Sequence, residues 1–201
     1  MEGMMDVVEA LASEHGRVEV PSPRGWILTY TGRQFWPLYP KPADVDIEDI
    51  AHSLSMRCRY AGFTSHFYSV AEHCVHVSYA LRPARQFEGL LHDAGETYSP
   101  FGDIPRPVKQ LLPPFVKEVN DRIDRAIAAK FDLPVIEHEE VKWVDACICL
   151  DEKAFLMPRH PASDKSLPDG IKPLGVQLQA WSPERAKAEF LRRFTQLGGV
   201  R

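Results

Sequence analysis

The sequence predicts an all-α fold, a helical bundle carrying a short N-terminal β-hairpin or extended flap. Three observations carry that expectation. Apolar residues recur at three- and four-residue intervals through most of the stretch from 46 to 197. Helix start signals at Asp46, Ser69 and Ser182-Pro183 stand directly before such stripes. Strand-like composition gathers in one short segment, WILTYTGRQFWPL from Trp26 to Leu38. At 201 residues the chain suits a single domain with a real core. Its expected layout is a flap at about 20–40, a helical core at about 46–156, a loop at 158–180 and a C-terminal helix at about 183–197.

Each element has its own reason. Thr31-Gly32 separates the two β-rich runs as a turn would. Asp46 can cap a helix that runs to about Arg57, with Ile47, Ile50, Ala51 and Leu54 on one face and Asp49 adding negative charge to the first turn. Ser69-Val-Ala-Glu72 reads as a capping box, followed by Val70, Cys74, Val77 and Leu81 at helical spacing. A third helix is expected over Ala84 to Tyr98, with Phe87, Leu90, Leu91 and Ala94 inward, ending before Pro100 and Gly102. Pro114 to Phe131, with Phe115 among its inward residues, and Glu137 to Leu156, with Phe155 inward, read as an antiparallel helix pair. The Pro-, Ser- and Gly-rich stretch from Pro158 to Gly175 reads as a surface loop, with a mobile lid as the alternative. Ser182-Pro183 opens the last helix, and Gly198 is placed to end it.

A formal charge of −4 with mixed signs argues against a partner held by bulk charge, so no nucleic-acid polymer is expected. No apolar run approaches the roughly 20 residues needed to cross a bilayer, so no membrane association is expected either. Cys58, Cys74, Cys147 and Cys149 form neither a CxxC pair nor a disulfide framework, which predicts a cytoplasmic protein.

Chemistry enters through polar residues that interrupt apolar stripes. Asp145 lies among Val141, Val144 and Ile148, where a carboxylate needs a metal ion, a shared proton or a cation such as a neighbouring Arg. His92-Asp93 interrupts Leu90, Leu91 and Ala94 in the same way, and His73 follows the capping box. Imidazole plus carboxylate suits Zn, Mn, Fe, Co or Ni, and bundle interiors are where such sites are built. Each of these residues also has a plain structural reading, so their weight lies in the combination.

The motifs SVAEHCVHV (His73), LLHDAGETYSPFGDIPRPVK (His92-Asp93) and VKWVDACICLDE (Asp145) resemble, in this order, those of the HD-domain phosphohydrolases. The likeness covers roughly Ile47 to Glu152 and is nearest to the YfbR-type 5′-deoxynucleotidases and the phage DatZ-type dATP triphosphohydrolases. It implies one divalent metal per chain (Mn, Co, Zn, Fe, Ni or Mg), held by His73, His92, Asp93 and Asp145, with room left for water and a phosphate oxygen. It further implies Glu96 and Asp103 as catalytic carboxylates. Arg59 matches a phosphate-binding arginine with a one-residue shift in its distance from His73, which leaves Arg57 as the alternative. Tyr60 stands where the deoxynucleotidases carry a Trp against the sugar. Lys109, with Arg106 and Lys117, is a candidate for additional phosphates. His66, His76 and His138 read as non-ligands. The implied activity is hydrolysis of the 5′ ester at the α-phosphate of a purine 2′-deoxynucleotide, mono- or triphosphate, by a homo-oligomer (dimer or larger) in a bacterial or phage-infected cytoplasm. The alternatives are an HD-type di-iron oxygenase and a non-catalytic module stabilised by metal.

Overall fold

The computed structural model describes residues 25–102, 104, 108, 111–134, 138–158 and 170–200. The described chain is mostly helical, with one small antiparallel hairpin. Strands β1 (Ile27–Leu28) and β2 (Gln34–Phe35) pair in the register Ile27 with Phe35. Gly32, at φ +80°, turns the chain between them, a conformation that costs glycine little. Several contacts tie this flap to the body. Phe35 is buried and stacks on Tyr98 at 4.1 Å, and the buried carboxylate of Asp49 accepts the Thr31 N–H at 2.7 Å and its hydroxyl at 3.0 Å. Asp49 therefore pins the flap, beyond adding charge to a helix start.

The helices follow their caps. Helix α1 (Ile47–Met56) starts at Asp46, whose side chain accepts the Glu48 N–H, and α2 (Val70–Ala80) starts at Ser69, whose hydroxyl accepts the Glu72 N–H. Further on come α3 (Gln86–Leu91), α4 (Pro114–Phe131), α5 (Glu139–Leu156) and α6 (Pro183–Gln196). Helix α2 is central: it packs against α1, α3, α5 and α6. Its Val70 to Val75 are all buried, the mark of a helix surrounded by protein rather than facing solvent on one side. The main core joins α1, α2, α3, α4 and α6, while a smaller one holds Val77 and Leu81 against Val141, Val144 and Ile148 of α5.

Four expectations need correction. The third helix does not run from 84 to 98: α3 ends at Leu91, the chain turns at Asp93 (φ −97°, ψ 10°), and a separate 3-10 turn spans Ala94–Thr97. Helices α4 and α5 do not form a packed pair, since α4 lies against the 3-10 turns Pro42–Asp44 and Ala94–Thr97 while α5 lies against α2. Phe115 and Phe155, expected inward, are exposed, each covered only in part by one ring, Phe101 and His66 respectively. Finally, the capping box is half formed. Glu72 does not reach back to its own helix start but accepts the backbone N–H groups of Gln179 and Trp181, at 3.1 and 2.6 Å. This carboxylate holds the segment before α6 across α2.

Candidate metal centre

Four segments bring the site together. His73 lies in the first turn of α2, and His92-Asp93 occupies the break after α3. Asp145 comes from the middle of α5, and Arg59 comes from the loop closed by the Cys58–Ser69 bridge, in which Arg59 N–H donates to Tyr68 C=O and Val70 N–H to Arg57 C=O. That closure sets Arg59 beside the start of α2. The break after Leu91 matters because it turns two consecutive side chains, His92 and Asp93, toward one point, which continuous α-helix would separate by about 100°.

Ligand atoms of His73, His92 and Asp93 all lie within 4.8 Å of one another. His73 Nε2 is 3.3 Å from His92 Nε2, 3.9 Å from Asp93 Oδ2 and 3.2 Å from Asp145 Oδ1. His92 Nε2 is 3.3 Å from Asp93 Oδ2. Ligands about 2.1 Å from one ion lie roughly 3.0 to 3.4 Å apart when adjacent in octahedral or tetrahedral geometry, so His73, His92 and Asp93 form a group that could hold a single divalent cation, with Asp145 beside His73. The ring orientations fit as well. His73 Nδ1 donates to Glu152 Oε1 at 2.6 Å and His92 Nδ1 donates to the Gly89 carbonyl at 2.9 Å, which leaves each Nε2 lone pair facing the cluster. His66, His76 and His138 lie outside this group: His76 faces Glu72, and His138 caps α5 by accepting the Glu140 N–H.

The electrostatics describe a cluster in which buried carboxylates face two imidazoles and a guanidinium. Burial alone would raise Asp93 and Asp145, but His92 beside the first and the hydrogen bond from His73 to the second hold both carboxyls well below their usual range. Burial disfavours a charged His92, yet Asp93 raises it well above an ordinary imidazole. His73 is raised too: burial and Arg59 oppose its charge, and Glu152 with the hydrogen bonds to Asp145 and Glu152 outweighs them. A proton and a metal ion compete for the same Nε2 lone pairs, so cation binding releases protons. Burial, then the charge of Asp145, pushes the Cys149 thiol up to about 12, so it stays protonated beside the cluster.

Arg59 and Arg57 part company. Arg59 reaches into the cluster, with Nη1 3.4 Å from Asp93 Oδ2 and Nη2 3.9 Å from Asp145 Oδ1. Arg57 donates from Nε to Ser53 Oγ at 3.3 Å and lines a separate cavity of about 570 Å³ between the flap and α1. Tyr60 turns inward as well, its hydroxyl donating to Glu152 at 2.7 Å. Both it and Ala61 sit in the left-handed region, at φ 54° and 52°, where side chains are strained. A cavity of about 400 Å³ opens beside His92 and Asp93; Glu96, Asn120 and Lys117 are among its lining residues. Glu96 lines this cavity from a 3-10 turn rather than from the continuous helix expected. Asp103, Arg106 and Lys109 lie outside the described residues.

Glu152 was missed by sequence reasoning. It is fully buried, accepts from His73, Arg59 and Tyr60, and is held down to about 2: burial alone would raise it, and Arg59 followed by His73 outweighs that. A signal for it existed. Glu152 is seven residues after Asp145, two helical turns along the same face.

No family model matches the chain. Two proteins are similar over nearly their whole length. Uncharacterized protein YfdR of Escherichia coli K12 is 36% identical over 177 residues, covering 88% of this chain and 97% of that protein. Uncharacterized protein RCAP_rcc00048 of Rhodobacter capsulatus is 30% identical over 186 residues, covering 85% of this chain and 94% of that protein. On that identity and coverage, the chain belongs to the family of the Escherichia coli YfdR protein.

Proposed function

We propose that the chain is an HD-domain, metal-dependent phosphohydrolase that cleaves the 5′ ester at the α-phosphate of purine 2′-deoxynucleotides. The observation that carries this reading is the convergence of His73, His92 and Asp93 at ligand-like separations, with Asp145 beside His73 and Arg59 beside Asp93. Held by His73, His92, Asp93 and Asp145, one divalent ion would supply Lewis acidity toward a phosphate oxygen and a water of lowered pKa. The remaining work falls to side chains. Arg59 is placed to share phosphate oxygens, and its charge is secure: burial opposes it, but Glu152 and the neighbouring carboxylates raise the guanidinium further. Glu96, at the wall of the same cavity, is the group assigned to moving a proton between attacking water and the departing 5′ oxygen. Asp103, in the motif that follows, is assigned to orienting that oxygen.

The cavity of about 400 Å³ suits a nucleotide-sized ligand. Lys117 on its wall offers charge for further phosphates, with Lys109 and Arg106 as additional candidates. The reading covers two substrates, a dNTP such as dATP giving nucleoside and triphosphate, or a dNMP giving nucleoside and phosphate. It includes a homo-oligomer, dimer or larger, in the cytoplasm. No described helix is long and apolar enough to cross a membrane.

The test is direct. Protein loaded with Mn, Co, Zn or Mg is incubated with deoxy- and ribonucleotide mono- and triphosphates, and products are separated by chromatography. Nucleoside with phosphate or triphosphate is the expected result. No cleavage of any nucleotide with any of these metals defeats the proposal, and metal-dependent oxygen consumption with two irons per chain would replace it with the oxygenase reading.

A further inference from the structure

Glu152 stands behind the cluster rather than in it. Its two oxygens are divided: Oε1 accepts from His73 Nδ1 at 2.6 Å, while Oε2 accepts from Arg59 Nε at 3.1 Å and from the Tyr60 hydroxyl at 2.7 Å. A fully buried carboxylate is costly unless such donors compensate it, and here three converge on one group. The division has directional consequences on both sides. An imidazole that donates from Nδ1 keeps its Nε2 lone pair for the cation, and that nitrogen lies 3.2 Å from Asp145 Oδ1 and 3.3 Å from His92 Nε2. A guanidinium tied at Nε has its plane set, so that its outer nitrogens face Asp93 and Asp145. The Tyr60 bond holds the strained turn at Tyr60 and Ala61 against α5.

We propose that Glu152 is a positioning residue that locks the metal-binding nitrogen of His73 and the phosphate-facing edge of Arg59 into one unit. The proposal rests on the metal-dependent reading above. Helix α5 then serves the site twice from one face, with Asp145 toward the cation and Glu152 seven residues on, behind its histidine ligand. The same carboxylate joins the ligand that holds the metal to the arginine that meets the substrate, so both halves of the site share one reference point.

The experiment measures Mn2+ and Zn2+ affinity by chelator competition in wild type, Glu152→Gln and Tyr60→Phe, with circular dichroism reporting the fold. An amide offers one acceptor oxygen to three donors, so Glu152→Gln is expected to weaken metal binding about 10- to 100-fold. Tyr60→Phe removes a bond on the other oxygen only and should stay within about threefold of wild type. Should Glu152→Gln fail to fold, Glu152→Asp carries the same expectation, because its shorter carboxylate cannot span His73 and Arg59 together. The proposal is overturned if the folded Glu152 variant binds metal within about threefold of wild type. It is overturned equally if Tyr60→Phe weakens binding as much as Glu152→Gln, since general loosening would then explain both. Metal binding is read without any nucleotide, so a wild-type protein that binds metal but cleaves nothing defeats the proposed function and leaves this result standing.

Discussion

Glu72 and Glu152 are both glutamates with no exposed surface, yet they do opposite kinds of work. Glu72 is held mainly by backbone: the N–H groups of Gln179 and Trp181 end on its two oxygens and hold the segment before α6 over α2, with His76 Nε2 3.5 Å from one of them. Glu152 is answered by charge, through Arg59 and His73, in a cluster that also contains Asp93 and Asp145. Burial of a carboxylate is therefore no sign of function by itself. The partners distinguish the two: Glu72 meets backbone amides and His76, whereas Glu152 meets His73 and a guanidinium that both reach on to Asp93 and Asp145, where a cation and a phosphate could be met.

The sharpest test of this contrast is on the cluster itself. Asp93→Asn should cost on the order of a thousandfold in metal-dependent hydrolysis and strip metal from the protein that remains folded. A large loss of stability with retained metal content would place Asp93 with Glu72 as an architectural group. The reverse pattern is expected of Glu72→Ala, which strands two backbone donors and should lower unfolding free energy by about 3 kcal/mol, while metal stoichiometry of the folded fraction stays unchanged. Loss of metal from folded Glu72→Ala would erase the distinction.

Acid separates the two regions further. Glu152 is held at about 2 in the folded protein, against 4.5 for the ordinary side chain. Its folded pKa is depressed, so its contribution to stability is full above the ordinary pKa and is lost as pH falls toward 2. Asp93 and Asp145 act with the same sign at still lower pH. Urea midpoints between pH 5 and pH 3 should therefore fall less steeply for Glu152→Gln than for wild type, and equal slopes would contradict the depressed value. The smallest effect concerns the flap. Asp49→Ala removes two hydrogen bonds to Thr31 and should cost about 1 kcal/mol, with faster proteolysis between Trp26 and Phe35 but metal affinity unchanged. A change in metal affinity would tie the flap to the centre.

Much of the backbone was legible in advance because its signals are local. Asp46, Ser69 and Ser182 each accept an N–H of the helix they precede, and Pro114 to Phe131 is helical over its whole expected length. The turn at Gly32 lies between the two expected strands. The break at His92-Asp93 was not legible, since apolar spacing continues across it through Leu90, Leu91 and Ala94. Nor was the placement of α4 and α5, because an amphipathic stripe states that a face is buried but not what buries it.

The sequence by itself determined the helical class, the caps and the presence of His73, His92, Asp93 and Asp145 at interruptions of apolar stripes, because caps and helical periods act over a few residues. Tertiary structure decided what those residues meet. It set Arg59 rather than Arg57 against the cluster, turned Glu72 to the segment before α6, and placed Glu152 behind His73. Residues 59, 73, 93, 145 and 152 are brought within a few ångströms by packing around α2, and no local rule of spacing can encode contacts that only chain closure creates.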